Sequence, residues 1–153
     1  MMSPPWSYIC DVDVAPLAEW LDATGDAYFP EPSAPAKPQR IHVPPLELID
    51  PIVAKVLTEF CVKVVADPPM LSRMLPGQTH GMHVDVLRAD CLTRVHVPIT
   101  TNPGCWMEFE EANGYHVHFF AGKAYTFDAR RRHAFGNAGE TARTHLIFDV
   151  LRG

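Results

Sequence analysis

The 153-residue chain lacks any excess of positive charge: 13 Lys and Arg stand against 18 Asp and Glu, for a formal net charge of −5. Non-specific binding to a phosphate backbone depends on such an excess, so nucleic acid is not the expected partner. No run approaches the roughly 18 apolar residues that a membrane-spanning helix needs. The opening Met-Met-Ser-Pro-Pro-Trp has no basic region leading into an apolar one, so it does not read as a secretory signal. The four cysteines (Cys10, Cys61, Cys91, Cys105) are scattered without a C-x-x-C pair. Scattered thiols and no signal point to a reducing, cytoplasmic setting. Internal repeats and low-complexity segments are also missing.

What is present is a globular composition, 47% apolar and 20% charged, at a length that suits one domain over 1–153. Fifteen prolines crowd the chain before residue 104. Residues 1–69 read as an arm and helices. An edge strand is expected around Trp6–Ile9, and a short helix over 15–23, where Leu17, Trp20 and Leu21 fall three and four apart. The six prolines between 29 and 46 predict a surface loop. Asp50-Pro51 reads as an N-cap followed by a first-turn proline, opening a helix over 51–65 with Ile52, Val53, Val56, Leu57, Phe60 and Val64 on its apolar face.

From residue 70 to 151 the pattern changes to short β-branched and apolar runs: 70–75, 92–99, 106–109, 115–120, 124–127 and 144–151. Strands of that length, divided by Gly, Pro and Asn turns, predict a mainly β, α+β fold with a closed or sandwiched antiparallel core.

Chemistry concentrates between His83 and Arg143. His83 and Asp85, two apart on one expected strand, point to one side, and His133 follows Asp85 by 48 residues. Two neutral imidazoles and one hard carboxylate oxygen, leaving one face of the metal open, are the ligand set of non-haem Fe(II) oxygenases. Zinc would accept the same three donors. An Arg turned into a β-barrel is costly unless it meets an anion, and Arg143 lies on the last strand. A guanidinium fits a carboxylate in bidentate fashion.

Arg94 and His96 share a strand face, turned either inward or outward with Arg94 paired to an acid. His116 and His118 form a rival H-x-H pair without a carboxylate to complete it. His80, ahead of a glycine, reads as loop. Arg130, Arg131 and Arg132 suit either a solvated turn or a basic lip for anionic substrates, and Glu108, Glu110 and Glu111 a solvated hairpin end.

Gly122, His133 and Asn137 match the G-x10-H-x3-N spacing of cupin-type double-stranded β-helices, with Asp128 and Arg130 in place of the usual Pro and Gly between them. His83-Val84-Asp85, the block from Arg94 to Pro103, Gly122, Phe127-Asp128, His133, Asn137 and Ala142-Arg143-Thr144-His145-Leu146 together resemble the aspartyl/asparaginyl β-hydroxylase-like branch of the Fe(II)/2-oxoglutarate-dependent dioxygenases. The resemblance covers roughly residues 70–151 and implies a jelly-roll core with the N-terminal helices packed on one sheet. It implies Fe(II) on His83, Asp85 and His133, with 2-oxoglutarate as co-substrate and O2 as oxidant. Arg143 would bind the distal carboxylate of 2-oxoglutarate, Arg94 and His96 would line the pocket, and Ser72 is the candidate for an assisting hydroxyl.

The reaction implied is hydroxylation of a C–H bond in a small molecule or an amino-acid or peptide side chain. One departure stands out: the animal aspartyl hydroxylases lack the carboxylate ligand, whereas Asp85 is present here. The competing reading is a metal-binding cupin without redox chemistry, a small-molecule binding module or isomerase. It gives Arg143 no reason to face the metal.

Overall fold

The computed structural model describes residues 4–29, 38–41, 45–61, 65–66 and 68–152. Among these residues ten strands run in chain order: β1 (Trp6–Asp11), β2 (Gln39–Ile41), β3 (Met70–Met74), β4 (Thr79–His83), β5 (Cys91–Thr100), β6 (Cys105–Phe109), β7 (His116–Val117), β8 (Lys123–Phe127), β9 (His133–Asn137) and β10 (Arg143–Leu151). They form two antiparallel sheets, ordered β1-β8-β5-β10-β3-β2 and β4-β9-β6-β7. The sheets face one another as the jelly roll expected from the sequence. Two helices, α1 (Ala15–Thr24) and α2 (Leu46–Glu59), cover the outer face of the larger sheet.

The period of two along β5 and β10 separates the two layers of core. Val95, Val97 and Ile99 of β5 and Leu146, Phe148 and Val150 of β10 pack outward against Leu17 and Leu21 of α1 and Ile49, Ile52, Val53 and Val56 of α2. Between the sheets lies a second, aromatic-rich layer that includes Met74, Met107, Phe109, Phe127 and Phe135. The intervening residues on those two strands (Arg94, His96, His145, Asp149) are the polar ones. Pro98 sits in the central strand β5, where a proline removes a ladder donor. The β5–β10 register shifts at that point, between Thr144 and His145.

Helix α2 begins a turn earlier than Asp50-Pro51 suggests. Its N-cap is Pro45, and Pro51 lies inside the helix. Ile49 is fully buried and extends the i, i+3, i+4, i+7 stripe of Ile52, Val53 and Val56, so packing sets the start. Pro51 forfeits the bond to the Glu47 carbonyl, but both residues are solvent-exposed and water can serve that oxygen. The helix ends at Glu59 rather than near residue 65, because Phe60 caps it and Cys61 turns into the left-handed region at φ 57°. Val65 then bridges to Val150. Residues 62–64 lie outside the described residues.

Three strands sit where no run was expected. β2 lies inside the proline-rich stretch, of which 30–37 and 42–44 fall outside the described residues. β4 takes His80 out of a loop and pairs it with Phe135, and β9 carries His133. The strand expected over 115–120 shrinks to His116–Val117.

Candidate metal centre and co-substrate pocket

The β4–β9 ladder brings the two imidazoles together. His83, at the end of β4, is the cross-strand partner of His133, at the start of β9, after a register shift between His80 and His83. Their ring centroids are 4.3 Å apart. Asp85 lies just past the strand, its N–H donating to the Ala129 carbonyl at 2.8 Å. One ligand-type atom from each of His83, Asp85 and His133 falls within 4.8 Å of the others, a cluster able to hold a metal ion. Asp85 Oδ1 is 3.4 Å from His83 Nε2 and its Oδ2 is 3.8 Å from His133 Nε2.

Each imidazole is fixed from behind. His83 Nδ1 meets the Gly81 carbonyl at 2.6 Å and His133 Nδ1 the Arg131 carbonyl at 2.8 Å. A carbonyl only accepts, so both Nδ1 atoms carry the proton, and both Nε2 lone pairs are turned toward the acid. The contact with Asp85 raises the His83 pKa, while burial lowers that of His133. Burial also works against charge on Asp85, yet the His83 contact and the fields of Arg94 and His133 prevail and hold its carboxyl well below the usual range. Asp85 is thus ionised at neutral pH and offers a carboxylate oxygen to a cation.

Arg143 lies deeper between the sheets and is 2% exposed. Its guanidinium stacks 5.1 Å from the Phe135 ring, and its Nε has no hydrogen-bond partner among the described residues. Burial pushes its pKa down to about 10, with the Cys105 thiol as the opposing influence. A cation so enclosed, with no acid paired to it among the described residues, is poised to receive an anion. Asn137 ties the surrounding strands: it donates to the carbonyls of Met74, the cross-strand partner of Arg143, and of Thr141, and accepts from the Gly139 N–H. Asn102 joins the same network through Asn137 and Thr141, so the turn at 102–104 braces the Arg143 end of β10. Gly122, the first residue of the spacing motif, has φ +77° in the tight turn before β8, a conformation that glycine adopts without strain.

Between Arg143 and the triad lie two buried imidazoles, His96 and His145, with Nδ1 atoms 3.1 Å apart. Burial, and then the charge of Arg143, push both pKa values well below the ordinary range. Both rings are therefore neutral, and one must donate while the other accepts, so they hold opposite tautomers. One Nε2 then carries a proton and the other a lone pair, which gives the pocket one donor and one acceptor. Ser72 of β3, 2% exposed, is the cross-strand partner of His145.

Arg94 faces inward and is also paired with acids, combining the two alternatives left open by its sequence context. Its Nε and Nη2 donate to Asp149 at 2.7 and 2.9 Å, and its Nη1 donates to Asp85 at 2.6 Å. A polar cleft of about 460 Å³ opens beside them, bounded by Arg40, Met70, Asp85, Val86, Arg94 and Asp149.

The remaining candidates lie elsewhere. His116 stacks on Trp106, and His118 Nδ1 meets the Cys105 carbonyl at 2.8 Å; neither joins the triad. Arg131 and Arg132 pair with Glu111 and Glu110, and Arg130 bonds Asp128 and the Arg88 and Cys91 carbonyls. His80 stacks on Phe135 with its centroid 4.0 Å from that of His83. His145, quoted in the family-like segment but given no role, and Asp149, which no motif singled out, are the further neighbours of the site. The signal for them is the period of two along β10, since an inward Arg143 carries 145 and 149 to the same face.

Residues 42–153 match the family model described as aspartyl/asparaginyl β-hydroxylase. The chain belongs to that family. It is accordingly an Fe(II)/2-oxoglutarate-dependent dioxygenase, and the His-Asp-His cluster and buried guanidinium are donors suited to iron and to a dicarboxylate. No curated protein matches the chain by sequence. Among solved structures it is similar in fold to the viral collagen prolyl hydroxylase of Paramecium Bursaria Chlorella virus-1, solved as its 2-oxoglutarate complex: TM-score 0.69, 15% identity, covering 97% of this chain and 96% of that one. A Pseudomonas putida prolyl-4-hydroxylase gives 0.66 at 16% identity, with 97% and 94% covered. A Trichoplax adhaerens prolyl hydroxylase, solved with a hypoxia inducible factor oxygen degradation domain peptide fragment, gives 0.68 at 12%, with 95% and 83% covered.

Proposed function

We propose that this β-hydroxylase-family enzyme holds Fe(II) on His83 Nε2, Asp85 and His133 Nε2, and holds the distal carboxylate of 2-oxoglutarate on Arg143. It would hydroxylate a C–H bond of a small molecule or of an amino-acid or peptide side chain. The observation that carries this reading is Arg143: a buried cation with an unpartnered Nε, separated from the triad by two neutral imidazoles. When bound, the metal and co-substrate supply the oxidising power, coupling decarboxylation of 2-oxoglutarate to succinate with insertion of oxygen from O2.

The chain's own residues bind, orient and exclude water. The Gly81 and Arg131 carbonyls keep both imidazoles in the tautomer that presents Nε2. Arg143 fixes the co-substrate at its far end, and His96, His145 and Ser72 border the path between. Phe127 and Phe135 pack against that path and keep it dry. The cleft beside Asp85 is the approach for substrate, and its polar lining suits an amino-acid or peptide side chain. The peptide bound to the Trichoplax adhaerens neighbour is one precedent for that class. No helix among the described residues is long and apolar enough to cross a membrane, and the four cysteines are free thiols, which fits a reducing cytoplasmic setting.

The test is anaerobic. Fe(II) protein is titrated with 2-oxoglutarate and the visible charge-transfer band of the chelate is followed, then air and ascorbate are admitted and succinate is measured across a panel of amino acids, peptides and metabolites. A band in the wild type that Arg143→Ala weakens while iron binding persists is the expected result. No band together with no succinate would leave a non-redox metal-binding cupin as the better description.

A further inference from the structure

Asp85 departs from its two companions in one respect: it lies beyond the end of β4, outside the β4–β9 ladder, with its backbone N–H donating to the Ala129 carbonyl. A carboxylate there can swing, and its two oxygens are interchangeable as donors. The His83 and His133 rings have backbone carbonyls behind them, but Asp85 is held from behind by a side chain. Arg94 Nη1 donates to Asp85 Oδ2 at 2.6 Å, leaving Oδ1 on the side of His83 Nε2 at 3.4 Å. The other edge of the same guanidinium is gripped by Asp149, Nε to Oδ1 at 2.7 Å and Nη2 to Oδ2 at 2.9 Å. Arg94 and Asp149 are direct cross-strand partners on β5 and β10, the two central strands, and their side chains are 17% and 15% exposed.

We propose that Arg94 and Asp149 act together as positioning residues for Asp85, fixing it as a one-oxygen metal donor, and that Arg94 is not a direct contact of the co-substrate. The inference rests on the reading of His83, Asp85 and His133 as the iron ligands. The planar fork is what makes the device work. One face of the guanidinium is saturated by a bidentate carboxylate, which locks its plane, and the third nitrogen is then aimed at a single oxygen. With Asp149 in place the clamp is electrically neutral as a pair, so Asp85 is oriented without a net positive charge facing the incoming cation. Without Asp149 the guanidinium is free to rotate and would stand as an uncompensated cation one carboxylate away from the metal. With its fork occupied on both sides, Arg94 has no bidentate edge left for 2-oxoglutarate. Partners of this outer kind are worth about 10–100-fold in metal affinity.

The experiment measures two affinities on the full chain in the wild type, Arg94→Lys, Asp149→Asn and the double variant: Co(II) by its visible absorption under argon, then 2-oxoglutarate at saturating Co(II) by the change in that spectrum. The expected result is a loss of Co(II) affinity of about 10–100-fold in each single variant. The double variant should lose no more than the worse single one, because the pair acts as a unit. The affinity for 2-oxoglutarate at saturating metal should stay within about threefold of wild type. Asp149→Glu keeps the bidentate carboxylate and should recover most of the loss, which a merely structural defect would not allow.

Unchanged Co(II) affinity in Asp149→Asn overturns the proposal. So does a selective loss of 2-oxoglutarate affinity in Arg94→Lys, which would restore the direct co-substrate contact. A wild type that binds Co(II) but not 2-oxoglutarate would refute the oxygenase site while leaving the clamp measurable through metal affinity alone. Failure of the wild type to bind Co(II) sinks both. Circular dichroism on each variant identifies any that fails to fold, and the remaining single variant and Asp149→Glu then decide the outcome.

Discussion

Replacing Arg143 with methionine separates the energetic burden of this residue from its use. Methionine fills a similar channel without charge. Burial brings the guanidinium from its ordinary value down to about 10, which at about 1.4 kcal/mol per pH unit is a penalty of about 3 kcal/mol in the ligand-free fold. Stacking over Phe135 offsets about 1–2 kcal/mol of it. The ligand-free variant should therefore be more stable than wild type by about 1–2 kcal/mol, a rise of roughly 2–8 °C in thermal midpoint at this chain length.

The sign with pH follows from a base whose folded pKa lies below its unfolded one. The penalty is present in full below about pH 10 and is relieved as pH rises from there toward the ordinary arginine value. The advantage of the variant should accordingly be flat through neutral pH and shrink in alkali. The response to ligand runs the other way. Wild type with metal, at 2-oxoglutarate about a hundredfold over Kd, should gain about 2.7 kcal/mol, and the variant none, while the shift produced by metal alone is the same in both. Calorimetry of the Mn(II) proteins with and without 2-oxoglutarate reads all of this. A methionine variant less stable than wild type by several kcal/mol, or one that keeps its 2-oxoglutarate shift, refutes the argument that this cation is waiting for a carboxylate.

Asp85→Asn should lose metal affinity by more than the ~10–100-fold typical of an outer partner, measured by Co(II) titration, while Arg143 stays folded in place. Asn137→Ala removes a 1% exposed side chain that serves Met74, Thr141, Gly139 and Asn102. The orphaned groups should cost about 3 kcal/mol, seen as a fall in urea midpoint. Arg131→Gln breaks a partly exposed pair with Glu111 and should change stability by less than about 1 kcal/mol, with both ligand affinities unaltered. A large fall in 2-oxoglutarate affinity there would revive the basic lip as part of the site.

How much was legible in the sequence follows from which forces act locally. The β-rich half was readable because β5, β6, β8 and β10 carry β-branched and apolar residues over four or more positions, and in β5 and β10, buried on both faces, the apolar residues of the helix-covered face still alternate with polar ones. β4 and β9 were not readable by that rule. β4 reads Thr-His-Gly-Met-His, with polar residues on both faces, and all five residues of β9 are buried, so neither alternates. Their presence follows from pairing with each other and with β6, a non-local condition. The start of α2 was misplaced because a local signal, Asp-Pro, competed with the burial of Ile49, and burial of a whole aliphatic side chain outweighs a local preference. His83, Asp85 and His133 were found by spacing, which turn lengths constrain. The proline-rich segment expected as a surface loop is described only at 38–41 and 45, where Arg40 lines the cleft.

The same alternation explains why one strand serves both ends of the site. Arg143 and Asp149 lie six residues apart on β10, a span of roughly 20 Å at about 3.3 Å per residue. An even separation keeps both on the inner face, with His145 between them. One end presents a cation with no acid paired to it among the described residues, and the other an acid committed to Arg94. A register slip of one residue would turn both outward and bring Thr144, Leu146, Phe148 and Val150 into the pocket. The helices guard against that slip. Leu146, Phe148 and Val150 are 0–3% exposed beneath α1 and α2, so the apolar face that anchors the N-terminal half to the sheet also sets the phase of the polar face. The helical half, distant from the metal in sequence and on the opposite side of the sheet, therefore takes part in placing Arg143 and Asp149.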